Sequence, residues 1–117
     1  MEKPVRIRIE NLRLRTIIGI NEWERNIKQD IIISVTFTYD AAHAIKDDDI
    51  ERAVNYKELT KKIISTVEKS QYKLLESLAD SVLDIIKEYK GIGAAEVAVD
   101  KPHALRYCDT VQCSMTI

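Results

Sequence analysis

Apolar residues alternate with charged ones near the start of the chain. Val5, Ile7 and Ile9 are separated by arginines, and Leu12 and Leu14 then alternate with Arg13 and Arg15. Period two predicts a strand with one buried face, and the change of parity at Asn11 predicts a bulge or bend within it. Residues 30 to 40 repeat the pattern, with Ile31, Ile33, Val35, Phe37 and Tyr39 on one face and Ser34, Thr36 and Thr38 on the other. The polar segment between the two runs, GINEWERNIKQ, is longer than a tight turn. The connection that follows carries Asp47-Asp48-Asp49 and reads as a solvated loop without chemistry.

The period then changes. Asn55, followed three residues on by Glu58, predicts a capping box at a helix start, and Leu59, Ile63, Ile64 and Val67 recur at helical spacing behind it. A second helical stripe runs through Leu74, Leu75, Leu78, Val82, Ile85, Ile86 and Tyr89, with Gly91 and Gly93 expected to end it. Period two returns at Ala95, Val97 and Val99, and again at Val111, Cys113, Met115 and Ile117. The order strand, strand, helix, helix, strand, strand predicts the α+β class: a four-stranded antiparallel sheet with two helices on one face. The other face would be lined by Thr, Ser, Gln and Arg. A wet face with open edges predicts that the sheet closes with copies of itself into a water-lined, oligomeric barrel.

Composition narrows the range of functions. The 117 residues, 45% hydrophobic, suffice for a single domain with one core. A formal net charge of −1 supplies no basic field toward nucleic acid or anionic lipid. No apolar run is long enough to span a bilayer and MEKPVRIRIE lacks a signal-peptide core, so no membrane association and a cytoplasmic location are expected. Cys108 and Cys113, if both on one strand, point to opposite faces, and they read as free thiols. Neither His43 nor His103 sits at metal-ligand spacing, so no metal site is expected.

Some polar residues depart from the structural pattern. Glu24 lies beside Trp23 in the first connection, Asn55 and Tyr56 open the first helix, and Glu76 follows Leu74-Leu75 at the start of the second. Lys101 begins the connection VDKPHALRYCD between the last two strands, which is far richer in functional side chains than a hairpin needs. Each has a plain alternative: a surface charge for Glu24, a helix-dipole partner for Glu76, packing for Tyr56 and a solvated turn for Lys101. Periodicity does not bring these positions together.

The segments GINEWERNIKQD, AVNYKEL, KLLESLAD and VDKPHALRY resemble, in this order and spacing, those of the dihydroneopterin aldolase family, over nearly the whole chain. IRIENLRLRTIIGI, NYKELTKKII and especially DKPHALRYCDTV resemble the epimerase branch of that family. The resemblance implies a tunnelling fold in which four copies close a barrel and two rings stack into a homo-octamer, with active sites between subunits. It implies a small pterin substrate, no cofactor, and the following roles. Glu76 anchors the pterin through its 2-amino and N3 groups, since a carboxylate accepts two parallel hydrogen bonds. The backbone of Leu75 and of the Val54–Tyr56 segment completes the slot, and Tyr56 of a neighbouring subunit stacks on the ring. Lys101 and Glu24 are the catalytic pair. Lys101 supplies positive charge and protons near N5 and the C2' hydroxyl, while Glu24 orients water or substrate. Pro102 stiffens the turn that presents Lys101.

The reaction so implied is epimerisation at C2' of 7,8-dihydroneopterin triphosphate to the dihydromonapterin form, by retro-aldol cleavage, placed between C2' and C3', and re-addition. The alternative is the aldolase of folate biosynthesis, which gives 6-hydroxymethyl-7,8-dihydropterin and glycolaldehyde. A third reading is a binding module without catalysis. For the phosphates Arg106 is the first candidate, because its fork matches phosphate oxygens; Arg13, Arg15, Arg25 and His103 stand behind it.

Overall fold

A computed structural model describes residues 2–117; residue 1 of the span expected to form one domain lies outside the described residues. Strand β1 (Pro4–Thr16) pairs antiparallel with β2 (Gln29–Asp40). A short helix α1 (Ala42–Asp47) follows, then α2 (Tyr56–Lys69), α3 (Leu75–Lys87), β3 (Ile92–Pro102) and β4 (Thr110–Thr116). The sheet is antiparallel throughout, in the order β1-β2-β3-β4, so β1 and β4 are its edges.

The expected bulge in β1 is present. The register slips between Ile9 and Leu12, and Asn11 adopts φ 57, a left-handed conformation that asparagine tolerates. The slip returns Leu12 and Leu14 to the face already occupied by Ile7 and Ile9, and Thr16 follows them there. On that face Ile31, Ile33, Val35, Phe37, Val97 and Val99 pack against Leu59, Ile63 and Val67 of α2 and Leu78, Val82 and Ile86 of α3, all fully buried. The opposite face carries Arg6, Arg8, Arg13, Arg15, Thr36, Glu96 and Gln112, most of them exposed.

Several local expectations need correction. The acidic connection is not a plain loop. Residues 42 to 47 form α1, Asp48 takes a left-handed φ of 49 at its C-terminus, and Asp49 caps a 3-10 turn (Ile50–Arg52) by accepting from Glu51 N. Carboxylates followed by amides satisfy backbone donors locally, which a charge count does not detect. At α2 only half of the capping box forms: the Asn55 side chain accepts from Lys57 N and Glu58 N, while the Glu58 carboxylate bonds Lys62. Beyond α3, Gly91 turns the chain with φ 87, whereas Gly93 already lies in β3. Lys101 and Pro102 also belong to β3, opposite Val111 and Thr110; the turn begins at His103, with φ 69. Cys108 is in that turn rather than on a strand, and both cysteines are free.

One end of this architecture collects the chemistry. The end of β1, the start of β2, the end of β3, the C-terminus of α2 and the N-terminus of α3 all meet there. Thr16, buried at the end of β1, ties β1 to α2: its hydroxyl lies 2.7 Å from Val67 O and 2.9 Å from Ser70 O, at the last turn of α2.

Candidate active site

Glu24 is in a 3-10 turn (Glu22–Arg25) within the first connection, and it is only 4% exposed. It is no surface charge. Its Oε1 accepts from Asn21 N at 3.1 Å and Asn21 Nδ2 at 2.8 Å; its Oε2 accepts from Gln29 Nε2 at 2.9 Å and Lys101 Nζ at 2.6 Å. Gln29, the first residue of β2, is itself aimed by a bond to Ile18 O at 2.8 Å. Lys101 reaches the pair because its parity in β3 is that of Val97 and Val99, which turns its side chain to the helix-covered face. Burial alone would raise the Glu24 pKa. The Lys101 ammonium, the Gln29 amide and the Asn21 N–H outweigh it and bring the carboxyl down to about 2.

The backbone bends to admit this carboxylate. Gly19 has φ +132, and a Cβ there would collide with the carboxylate of Glu24. Around it the first connection is bound to the one between α2 and α3. Gly19 N donates to Tyr72 O at 3.3 Å, and the Arg25 guanidinium donates to Gly19 O at 2.9 Å, to Tyr72 O at 3.0 Å and to Gln71 O.

That second connection leads into α3, where Glu76 stands exposed in the first turn and Leu75 packs half-buried against the core. Leu74 occupies the N-cap and offers no side-chain acceptor, so the first amides of α3 keep their donors uncapped. Glu76 faces β4: burial first, and the Glu76 charge second, push the Cys113 thiol up. Thus Glu24, Lys101, Leu75 and Glu76 share one end of the molecule.

Val54 and Tyr56 do not join them. Val54 is buried and Tyr56, at the first position of α2, is 58% exposed. Helix α2 has 14 residues, so they lie about 20 Å from its C-terminal end, where the other four gather. Arg106 is exposed in the β3–β4 turn, its guanidinium 5.5 Å from the Tyr107 ring. Arg13, Arg15 and His103 line a hollow of about 340 Å³ on the open sheet face, away from Lys101. Within it Arg15 already holds Asp30 at 3.4 Å and Lys28 O at 3.0 Å.

Asn21, Gln29 and Gly19 are functional neighbours that sequence reading missed. Gln29 carried a faint signal, since it follows a long polar connection at the parity of the buried Ile31. Among the described residues, no three His, Cys, Asp or Glu side chains gather as a metal ion would require.

A four-stranded antiparallel sheet covered by two long helices, with a Lys–Glu ion pair turned inward at its end, defines an α+β, tunnelling-type chain. Residues 7–116 match the family described as FolB: Dihydroneopterin aldolase, and this chain belongs to that family. It is 53% identical over 111 residues to dihydroneopterin triphosphate 2'-epimerase of Escherichia coli K12, covering 95% of this chain and 91% of that protein. The protein of the same name from Pseudomonas aeruginosa is 47% identical over 110 residues, covering 94% and 89%. In fold, the chain superimposes on the crystal structure of E. coli dihydroneopterin aldolase in complex with neopterin with a TM-score of 0.91, at 24% identity, covering 97% and 98% of the two chains. No helix among the described residues is long and apolar enough to cross a membrane.

Proposed function

We propose that this chain epimerises C2' of 7,8-dihydroneopterin triphosphate by opening and re-forming a carbon–carbon bond, as a single pterin-binding domain working in the cytoplasm. The observation that carries the reading is the Lys101–Glu24 pair, 2.6 Å apart, with Glu24 buried and the Lys101 side chain largely so. The likeness to the E. coli 2'-epimerase over 95% of the chain supports the choice of branch.

Carbon balance corrects the bond placed earlier between C2' and C3'. Glycolaldehyde holds both of those carbons, so the bond that opens is C1'–C2'. The C2' hydroxyl loses its proton, its electrons form the C2' carbonyl, and the C1'–C2' pair passes into the ring as N5 gains a proton. Rotation of the aldehyde and attack by C1' on its other face return the bond with C2' inverted. Escape of the aldehyde would make the same site an aldolase.

Lys101 is the proton carrier in this scheme, directly or through a water, for N5 and the C2' hydroxyl. Glu24 differs from the role the resemblance implied. A carboxylate offers about four lone-pair positions, and Asn21, Gln29 and Lys101 occupy them. With none left for water, Glu24 acts as the fixed counter-charge that aims the Lys101 ammonium. Glu76 and the Leu75 amide hold the pterin edge.

Tyr56 and Val54 complete the slot from a neighbouring copy, since their own α2 keeps them at the far end. Edges β1 and β4, with the polar face between them, suit a barrel of four chains and an octamer of two such rings. Arg106 is assigned to the phosphates.

The test is to incubate the protein, with a chelator, separately with the triphosphate and with unphosphorylated dihydroneopterin, and to separate the oxidised products. Fast formation of the monapterin epimer from the triphosphate with little cleavage is expected. Hydroxymethylpterin as the dominant product from the unphosphorylated compound would instead make the chain an aldolase.

A further inference from the structure

We infer that Arg25, which the sequence placed among the phosphate candidates, is a positioning residue that locks the loop bearing Glu24 to the segment leading into the pterin-binding end of α3. The inference rests on the proposed function for the identity of the two half-sites. Its evidence is geometric.

Three backbone carbonyls from two separate connections converge on one guanidinium: Gly19 O at 2.9 Å, Tyr72 O at 3.0 Å, and Gln71 O. Those contacts engage both terminal nitrogens and commit three of the five guanidinium N–H donors to neutral oxygens. Arg25 adjoins Glu24, and Tyr72 precedes Glu76 by four residues in the chain. A second tie, Gly19 N to Tyr72 O at 3.3 Å, crosses the same junction.

The sheet does not make this junction by itself. Lys101 belongs to β3 and Gln29 to β2, both held by ladder bonds, whereas Glu24 sits in a 12-residue connection (residues 17–28) and Glu76 at an uncapped helix start. Packing of α3 on β3 and β4 sets Glu76 relative to Lys101, and the placement of the Glu24 loop against that end depends further on how the two connections are joined. The planar fork of arginine spans three carbonyls in fixed geometry; a lysine ammonium, with its donors on one atom, does not.

The experiment compares Arg25→Ala and Arg25→Lys with the unchanged protein. It reads kcat and KM on the triphosphate, the dissociation constant for a phosphate-free pterin by fluorescence, and thermal unfolding. Displacing reacting groups by about 1 Å costs on the order of 100-fold in rate, so both variants are expected to lose about 10- to 100-fold in kcat at temperatures where they remain folded. Guanidinium ion should restore part of the loss in the alanine variant, and lysine should not substitute for arginine.

A raised KM for the triphosphate, with kcat and phosphate-free binding unchanged and with lysine adequate, would return Arg25 to the phosphates. A lower unfolding temperature with unchanged kcat would reduce it to a structural tie. Either result overturns the inference. Failure of the unchanged protein to epimerise the triphosphate would instead overturn the functional reading. If the alanine variant does not fold, the lysine variant decides.

Discussion

Four donors converge on the two carboxylate oxygens of Glu24, and their number sets how the residue titrates. Its folded pKa, about 2, lies below the ordinary value of 4.5. The unfolded chain therefore binds this proton more tightly than the folded one. Stability from Glu24 is complete above about pH 4.5 and drains away as pH falls toward 2. Urea unfolding across that acid range should show a falling midpoint, and Glu24→Gln should flatten its dependence on pH. An equally steep fall in the glutamine variant would assign the acid sensitivity to other carboxylates. Little of this was visible beforehand. By local pattern Glu24 stood out only as a charge beside a tryptophan; motif resemblance paired it with Lys101, but nothing local tells that Gln29 and Lys101 will reach the same oxygens.

At the scale of elements, the Thr16 hydroxyl decides where the site end closes. Leu12, Leu14 and Thr16 share a parity, so β1 delivers a polar group to a core-facing position just where α2 leaves carbonyls without intrahelical partners. Ser70 supplies a second hydroxyl, 2.7 Å from Val67 O and 3.1 Å from Thr16 Oγ1. Thr16→Val keeps the shape and removes the donor. Val67 O retains Ser70 as a partner, so the main casualty is Ser70 O, at a cost of about 1 to 2 kcal/mol. Chemical denaturation at fixed protein concentration measures it; an unchanged free energy would mean that water replaces the hydroxyl. The strands and long helices were legible in the sequence because each buries one face, and a buried face imposes its own period. Helix α1 and the 3-10 turns were not. They are short, and capping and the surrounding contacts decide them rather than amphipathicity.

For the whole molecule, the separation of Tyr56 from Lys101 has a direct consequence. If each working site takes Tyr56 from one chain and Lys101 from another, two damaged variants should repair each other. Subunits carrying Lys101→Ala and Tyr56→Ala, mixed in equal amounts and reassembled, would form intact sites at about a quarter of the total by random pairing. Turnover near a quarter of that of the unchanged protein is expected, above the mean of the two parents. Sedimentation should show an assembly larger than one chain. Activity equal to the mean of the parents would place the site within a single chain. Exposed apolar side chains at both ends, Ile20, Trp23 and Leu74 at one and Ile45, Ile50 and Tyr56 at the other, suit surfaces that meet other copies.

The sequence by itself determined the order of the principal elements, the face each presents to the core, the bulge at Asn11 and the cap at Asn55. These follow from periodicity and from backbone preferences of single residues, which act over a few positions. Through motif resemblance it also named Glu24, Tyr56, Glu76 and Lys101. Only the tertiary structure decided what those residues do to one another. It buried Glu24, turned Lys101 inward as a strand residue, took up Arg25 with three carbonyls and left Tyr56 at the far end. Burial and charge pairing arise between segments as much as 77 residues apart, as with Glu24 and Lys101, and no local pattern encodes which distant donors will meet around one carboxylate.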